Sequence, residues 1–245
     1  MRTLRFYCES LDSARPVLDP VESRHLSKVL RLGVGADIEA FDGKGLLADA
    51  KVDQITRDQV FIHLTKKMQI APKTSGRVIL AVSMAKGERF DWMIEKCTEL
   101  GADHIAAVQY DRTVKMGKGS ALDRYKKIAL AAAKQCGRLH LPALSGPDTL
   151  EHTLESFRRC YPLASLWYGD AEGSDVDTAF RGNAESDRIV CIGPEGGFTD
   201  EEHQLFTRIS AFAVSINPNI LRIETAAIAF SAVLCRPSRP DSAVR

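Results

Sequence analysis

The sequence is poor in the features that announce the commonest chemistries. Its six histidines, His25, His63, His104, His140, His152 and His203, are dispersed, and neither H-x-x-x-H nor H-E-x-x-H occurs, so no metal site is expected. The six cysteines, Cys8, Cys97, Cys136, Cys160, Cys191 and Cys235, never form a C-x-x-C pair, and several sit in apolar runs. They read as scattered, reduced, buried thiols of a cytoplasmic protein, not as a disulfide frame or a zinc site. G-x-S-x-G is missing, and with it any nucleophile-elbow signal. G-x-x-x-x-G-K-[ST] is missing too, which excludes a P-loop. No apolar run approaches the ~20 residues that span a bilayer, and the opening "MRTLRFYCES" has no apolar signal core. No membrane partner and a cytoplasmic location are therefore expected. An excess of one charge is also absent: 33 Lys and Arg stand against 32 Asp and Glu, a net +1. Any nucleic-acid role must rest on local patches.

What is present is an ordinary globular composition, 44% hydrophobic and 27% charged, over 245 residues. That length allows one large domain or two smaller ones, each with a real core.

The pattern changes once along the chain. Residues 1–70 are β-rich: "ADIEAF", "LLADAKVDQI" and "QVFIHL" alternate or cluster apolar residues, with turns expected at Asp42-Gly43 and Arg57-Asp58. One helix interrupts them in "DPVESRHLSKVLRLG". Asp19 can cap it, Pro20 can take its first position, Glu22 completes a capping box and Gly33 stops it. Leu26, Val29 and Leu30 form the expected buried stripe. Arg24, Lys28 and Arg31, at i, i+4 and i+7, share the opposite face. Residues 71–76 read as a linker. From 77 to 236 strands alternate with helices: "VILAVSM", "HIAAVQY", "YPLASLWYG", "RIVCIG" and "AFAVSI" against "RFDWMIEKCTELG", "SALDRYKKIALAAAKQCG" and "ETAAIAFSAVLC". In the first of these helices Phe90, Met93, Ile94, Cys97 and Leu100 share a side; Ser120 caps the second and Gly137 closes it. Such alternation predicts a parallel α/β sheet. The tail 237–245 is polar, carries prolines and is expected to be disordered.

In open α/β sheets ligands bind beyond the carboxyl ends of strands. Three loops qualify: "WYGDAEG" (167–173), "GPEGGFT" (193–199) and "NPNILRIET" (217–225). The second joins Gly193, Pro194, Gly196 and Gly197 around Glu195, and Thr199 with Glu202 starts a helix after it. Glycine density alone fits both a binding loop and a plain strand-to-helix connection. The loop has no lysine and carries an acid, which disfavours a triphosphate and suits a neutral or cationic ligand. "GKGLLA" (43–48) matches a dinucleotide fingerprint in letters, but no helix follows it, so it is read as chance. The third loop feeds Arg222, Glu224 and Thr225 into a helix start. Arg222 can engage a phosphate or carboxylate bidentately, or merely contact Glu224. Basic residues also gather in "AKGERFDW" (Lys86, Arg89), "YDRTVKMGKG" (Arg112, Lys115, Lys118) and "KQCGR" (Lys134, Arg138). They serve as phosphate contacts only if the fold makes them converge.

Taken together and in this order, "KGERFDWMIEKCTELGADHI", "AAKQCGR", "IGPEGGFTDEE" and "ILRIETAAIAF" resemble the RsmE family, and the resemblance runs from about Arg2 to Cys235. These are SPOUT-superfamily methyltransferases that modify N3 of a uracil in 16S ribosomal RNA. The "RHLSKVLRL" region is similar to the family's small β-barrel PUA-like RNA-binding domain. The resemblance implies domains at 1–70 and 77–236, and a trefoil knot, one of the rare exceptions to unthreaded chains. It also implies a homodimer acting on 16S rRNA in the small ribosomal subunit, with S-adenosyl-L-methionine held bent by three main-chain loops. The positions implied for that cofactor are Trp167, Tyr168, Gly169, Ile192, Gly193, Glu195, Gly196, Gly197, Ile216, Asn217, Leu221, Ile223 and Thr225. Glu195 either holds the loop or faces the cofactor's positive end. Arg222 or Arg138 is expected to stabilise a developing uracil anion and Glu224 to act as base. Arg24, Lys28, Arg31, Lys86 and Arg112 are expected to contact RNA. The family usually has a glycine and an arginine where this chain has Asn217 and Asn219; Asn217 is expected to tolerate a left-handed conformation, while Asn219 lacks the charge. The alternatives are a SPOUT enzyme with another RNA target, such as transfer RNA, and a non-catalytic ribosome-assembly protein.

Overall fold

The computed structural model describes residues 4–85, 87–113, 121–180 and 185–236. Lys86, Lys115, Lys118, the Ser120 cap and the tail 237–245 lie outside the described residues. The chain divides into two compact units, Met1–Pro72 with Leu130–Leu141, and Lys73–Ala129 with Pro142–Arg245.

The first unit is built on a four-stranded sheet in the order β1 (Arg5–Tyr7), β2 (Asp37–Phe41), β3 (Leu46–Ile55), β4 (Val60–Gln69). β1 and β2 are parallel; the other pairs are antiparallel. The predicted turns join β2 to β3 and β3 to β4, the second closed by Thr56 and Gln59 through N–H···O=C (2.9 Å) and a side-chain bond (3.1 Å). Alternation along β3 puts Leu46, Ala48, Ala50 and Val52 inward, against Phe6, Ile38, Ala40 and Ile62.

The helix of this unit differs from its sequence reading. α1 covers only Pro20–Arg24, and a π-helical turn, His25–Val29, follows. A π turn inserts a residue into the 3.6 period, so the stripe loses its phase. Leu26 is fully buried, Leu30 half-buried, and Val29 is 66% exposed. Arg24, Lys28 and Arg31 are all exposed, but Arg31 has left the helix, with φ 54°. The capping box is half made. Asp19 accepts from the Glu22 N–H at 2.8 Å, but the Glu22 carboxylate is buried and turned to the Lys134 ammonium at 2.6 Å. Lys134 belongs to the segment 130–141 that this unit recruits, together with His140, whose Nε2 meets the Ile70 carbonyl at 3.0 Å.

The second unit is a six-stranded, all-parallel sheet in the order β10-β8-β9-β5-β6-β7. Its strands are β5 (Val78–Ser83), β6 (His104–Gln109), β7 (Ala143–Thr149), β8 (Ser165–Asp175), β9 (Arg188–Ile192) and β10 (Phe212–Ser215). β5 shows why both faces must be covered. Val78, Leu80 and Val82 face one apolar cluster, Ile79 and Ala81 another, and none is exposed. The first cluster is closed by α2 (Glu88–Leu100), α3 (Ala121–Cys136) and α7 (Ile223–Leu234), the second by α4 (Leu150–Cys160) and α6 (Asp200–Arg208). α5 (Val176–Ala179) is a single turn. On α2 the buried set is Phe90, Met93, Ile94, Cys97 and Thr98; Leu100, the last residue before the Gly101 cap at φ 105°, is 36% exposed. β7 and α4 were not read from the sequence.

Candidate functional site

The strand order assembles the site. β8 lies between β10 and β9, so the stretch 167–173, which falls inside β8 and not after it, stands beside the loops that follow β9 and β10. β8 pairs with β9 as far as Tyr168↔Cys191 and with β10 as far as Ala213↔Tyr168; pairing with β10 resumes only at Val214↔Ser174. Residues 169–173 therefore arch away from the ladder. A cavity of about 430 Å³ opens between this arch, the loop after β9, the loop after β10 and the first turns of α7. That volume lies in the range of small-molecule sites.

Ten of the thirteen predicted cofactor positions line it: Gly169, Ile192, Gly193, Glu195, Gly196, Gly197, Ile216, Asn217, Leu221 and Ile223. Trp167, Tyr168 and Thr225 do not. Trp167 is buried against Phe180 and Phe212 and donates to Ser165 Oγ at 2.9 Å. Tyr168 stacks on Phe206, centroids 4.6 Å apart and planes 5° from parallel, and burial, with the Asp170 charge, raises its phenol. Thr225 is exposed on α7. Asp170, Phe198, His203, Ala226 and Phe230 line the cavity without having been expected as cofactor positions. Position was the available signal for Asp170 and Phe198, which stand inside the quoted loops.

The loop after β9 is tightly made. Gly197, at φ 72°, donates its N–H to the Pro194 carbonyl at 2.9 Å, and a Cβ on Gly193 would strike the Phe198 ring at 2.7 Å. Thr199 and Glu202 form the expected capping box at the start of α6. Below the loop, burial pushes the Cys191 thiol up to about 12, so it carries no nucleophile at neutral pH.

Asn217 does not adopt the left-handed conformation, because its side chain shapes the turn instead: Oδ1 accepts from the Asn219 N–H at 2.9 Å. Asn217 and Asn219 both line the cavity.

Charge is unevenly distributed around the cavity. Its lining holds Asp170, Glu195 and His203 and no lysine or arginine. Arg89, on the first turn of α2, stands 3.9 Å from Glu195 and 4.0 Å from Glu224, the latter buried in the first turn of α7. Arg222 caps α7 by its backbone and is exposed, with no side-chain partner among the described residues. Neither Arg222 nor Glu224 lines the cavity, although Leu221 and Ile223 beside them do. Arg138 belongs to the first unit, where its Nε donates to the His140 carbonyl at 2.5 Å. Arg112, predicted to contact RNA, points its guanidinium at the loop after β9. Among the described residues no cluster of three or more His, Cys, Asp or Glu suits a metal, and no helix is long and apolar enough to cross a membrane.

A family model described as an RNA methyltransferase domain matches residues 72–235, and one described as an RNA methyltransferase PUA domain matches residues 18–65. A ribosomal RNA small subunit methyltransferase E from Mycobacterium bovis is 30% identical, over 99% of this chain and 95% of its own length. The protein of that name from Bacillus subtilis is 27% identical over 86% of each. A Legionella pneumophila protein described as a methyltransferase, solved in complex with the bound cofactor SAM, superposes with a TM-score of 0.82 at 29% identity, over 96% of this chain and 97% of that one.

Proposed function

The chain belongs to the RNA methyltransferase family that includes the ribosomal RNA small subunit methyltransferases E, and from that premise we propose that it transfers a methyl group from S-adenosylmethionine to N3 of a uridine in 16S ribosomal RNA. The observation that carries this reading is the make-up of the cavity: main chain from three loops, apolar walls, two acids, one histidine and no lysine or arginine. Such a lining fits a flat, neutral adenosine moiety and a cationic sulfonium, and it repels a polyphosphate. When bound, S-adenosylmethionine supplies a methyl carbon made electrophilic by its positively charged sulfur.

The chain's own residues do the rest. Ile192, Ile216, Leu221 and Ile223 exclude water, and Gly169, Gly193, Gly196 and Gly197 let main-chain groups come close. Glu195 places a negative charge at the rim. Trp167 and Tyr168 act from beneath, as packing under the arch. Thr225 and Asn217 shape the approach of α7. Uracil N3–H is weakly acidic, so its proton must leave as the bond forms. Arg222, with Arg138 as the alternative, stabilises the anion at the uracil carbonyl oxygens, and Glu224 accepts the proton. Positioning supplies much of the rate.

The base must be unpaired or flipped out for N3 to be reached. Arg24, Lys28 and Arg31 grip backbone phosphates through the first unit. A chain of net charge +1 binds naked RNA weakly, so the substrate in this reading is the assembled small subunit. A homodimer with a trefoil knot, working in the cytoplasm, completes the reading, on the strength of the family resemblance. The test is methyl transfer to assembled subunits against naked 16S rRNA at equal concentration. The reading expects faster transfer to the subunit; equal or faster transfer to naked RNA overturns that choice of substrate.

A further inference from the structure

We infer that Arg112 is a positioning residue of the cofactor loop; the inference rests on the cofactor site proposed above. Its Nη1 donates to the Gly196 carbonyl at 2.7 Å and to the Phe198 carbonyl at 3.2 Å. Both are charge-assisted bonds. The same two peptide units are held from their other ends. The N–H paired with the Gly196 carbonyl is that of Gly197, and it donates to Pro194 O at 2.9 Å. The N–H paired with the Phe198 carbonyl is that of Thr199, and it donates to Glu202 Oε2 at 2.8 Å. Each peptide plane is thus pinned on both sides, and neither can flip without breaking two hydrogen bonds. A Gly-Gly sequence is where such a flip would otherwise be easiest.

The corner that presents Arg112 is anchored on β5 as well as on the loop's Thr199, whose Oγ1 donates to Asp111 Oδ2 at 3.3 Å. The Tyr110 N–H donates to Thr113 Oγ1 at 2.9 Å, and buried Thr113 meets Ser83 Oγ at 2.9 Å, at the end of β5. The Tyr110 hydroxyl donates to the Ala81 carbonyl at 2.9 Å. Glu202, which caps Thr199, also accepts from the Asp111 N–H through Oε1 at 3.0 Å. The ends of β5 and β6 therefore serve as the reference to which the loop is tied, and Arg112 is the tie at its glycines. Arg112 Nη1, whose N–H groups go to these two carbonyls, reaches a phosphate only by releasing the loop.

Removing Arg112 frees the loop, and ordering it again is then charged to cofactor binding. The experiment uses the full-length protein, Arg112→Ala and Arg112→Lys. Calorimetry with S-adenosylmethionine gives the cofactor Kd, amide hydrogen exchange without cofactor reports Gly197 and Thr199, and filter binding gives affinity for small subunits. The expected result is a Kd raised about tenfold in Arg112→Ala, faster exchange at both amides and partial recovery in Arg112→Lys. Unchanged cofactor Kd with weakened subunit binding overturns the inference and restores Arg112 as an RNA contact. If the unaltered protein itself binds no S-adenosylmethionine, the proposed function fails, and the inference with it.

Discussion

A Cβ added to Gly173 would stand 2.5 Å from the Val214 nitrogen. β10 thus rejoins β8, where the arch 169–173 ends, at a separation that only a glycine allows. Gly173→Ala must push β10 away or collapse the arch. Overpacking of this kind costs about 1–3 kcal/mol, so the variant should melt at lower temperature and bind S-adenosylmethionine more weakly. Gly33→Ala, where the new Cβ meets nothing within 4 Å, is the control and should leave both unchanged. Thermal denaturation with and without cofactor reads the difference.

Arg222 is exposed and without a side-chain partner among the described residues, so its loss should disturb the fold little. Its proposed work lies in the transition state. Arg222→Ala is therefore expected to lower kcat by about 10²-fold or more, with the KM for S-adenosylmethionine almost unchanged. Steady-state kinetics on small subunits separates the two; a raised cofactor KM at constant kcat would instead make Arg222 a binding residue.

His104 sets a pH dependence of stability. Burial lowers its imidazole to about 4, and the ring is held between Tyr161 Oη at 2.9 Å and Ser145 Oγ at 2.8 Å. In the unfolded chain the same group titrates near 6.5. The folded state therefore stays neutral while the unfolded state gains a proton, and the stabilisation is full above about pH 6.5 and lost as pH falls towards 4, by up to about 3 kcal/mol. Urea unfolding at neutral pH and at about pH 4.5 should show this loss in the unaltered protein and a smaller one in His104→Gln.

The parts of this fold that were legible in the sequence are those where local pattern and tertiary role agree. α2 carries its apolar residues at helical spacing and ends at a glycine with φ 105°. β5 is a continuous apolar run because both of its faces are covered. β7 was illegible because "ALSGPDT" contains Gly146 and Pro147, which argue against a strand. Its place at the edge of the sheet is what tolerates a proline. The π turn at His25–Val29 could not be foreseen from a regular period, and it exposed Val29. At the site, loop membership was readable, but side-chain direction was not. Tyr168 and Gly169 are neighbours in sequence, yet one packs on Phe206 behind the cavity and the other lines it, because the arch leaves the ladder between them. Arg112 was read as a surface cation because its carbonyl partners lie more than eighty positions away.

The central claim is tested most directly by supplying the purified protein with S-adenosylmethionine carrying a labelled methyl and small ribosomal subunits that lack the modification. The rRNA is then digested and its nucleosides are separated by mass. The account predicts label in 3-methyluridine, at one position. Label in any other nucleoside, or none while the cofactor still binds, would contradict it.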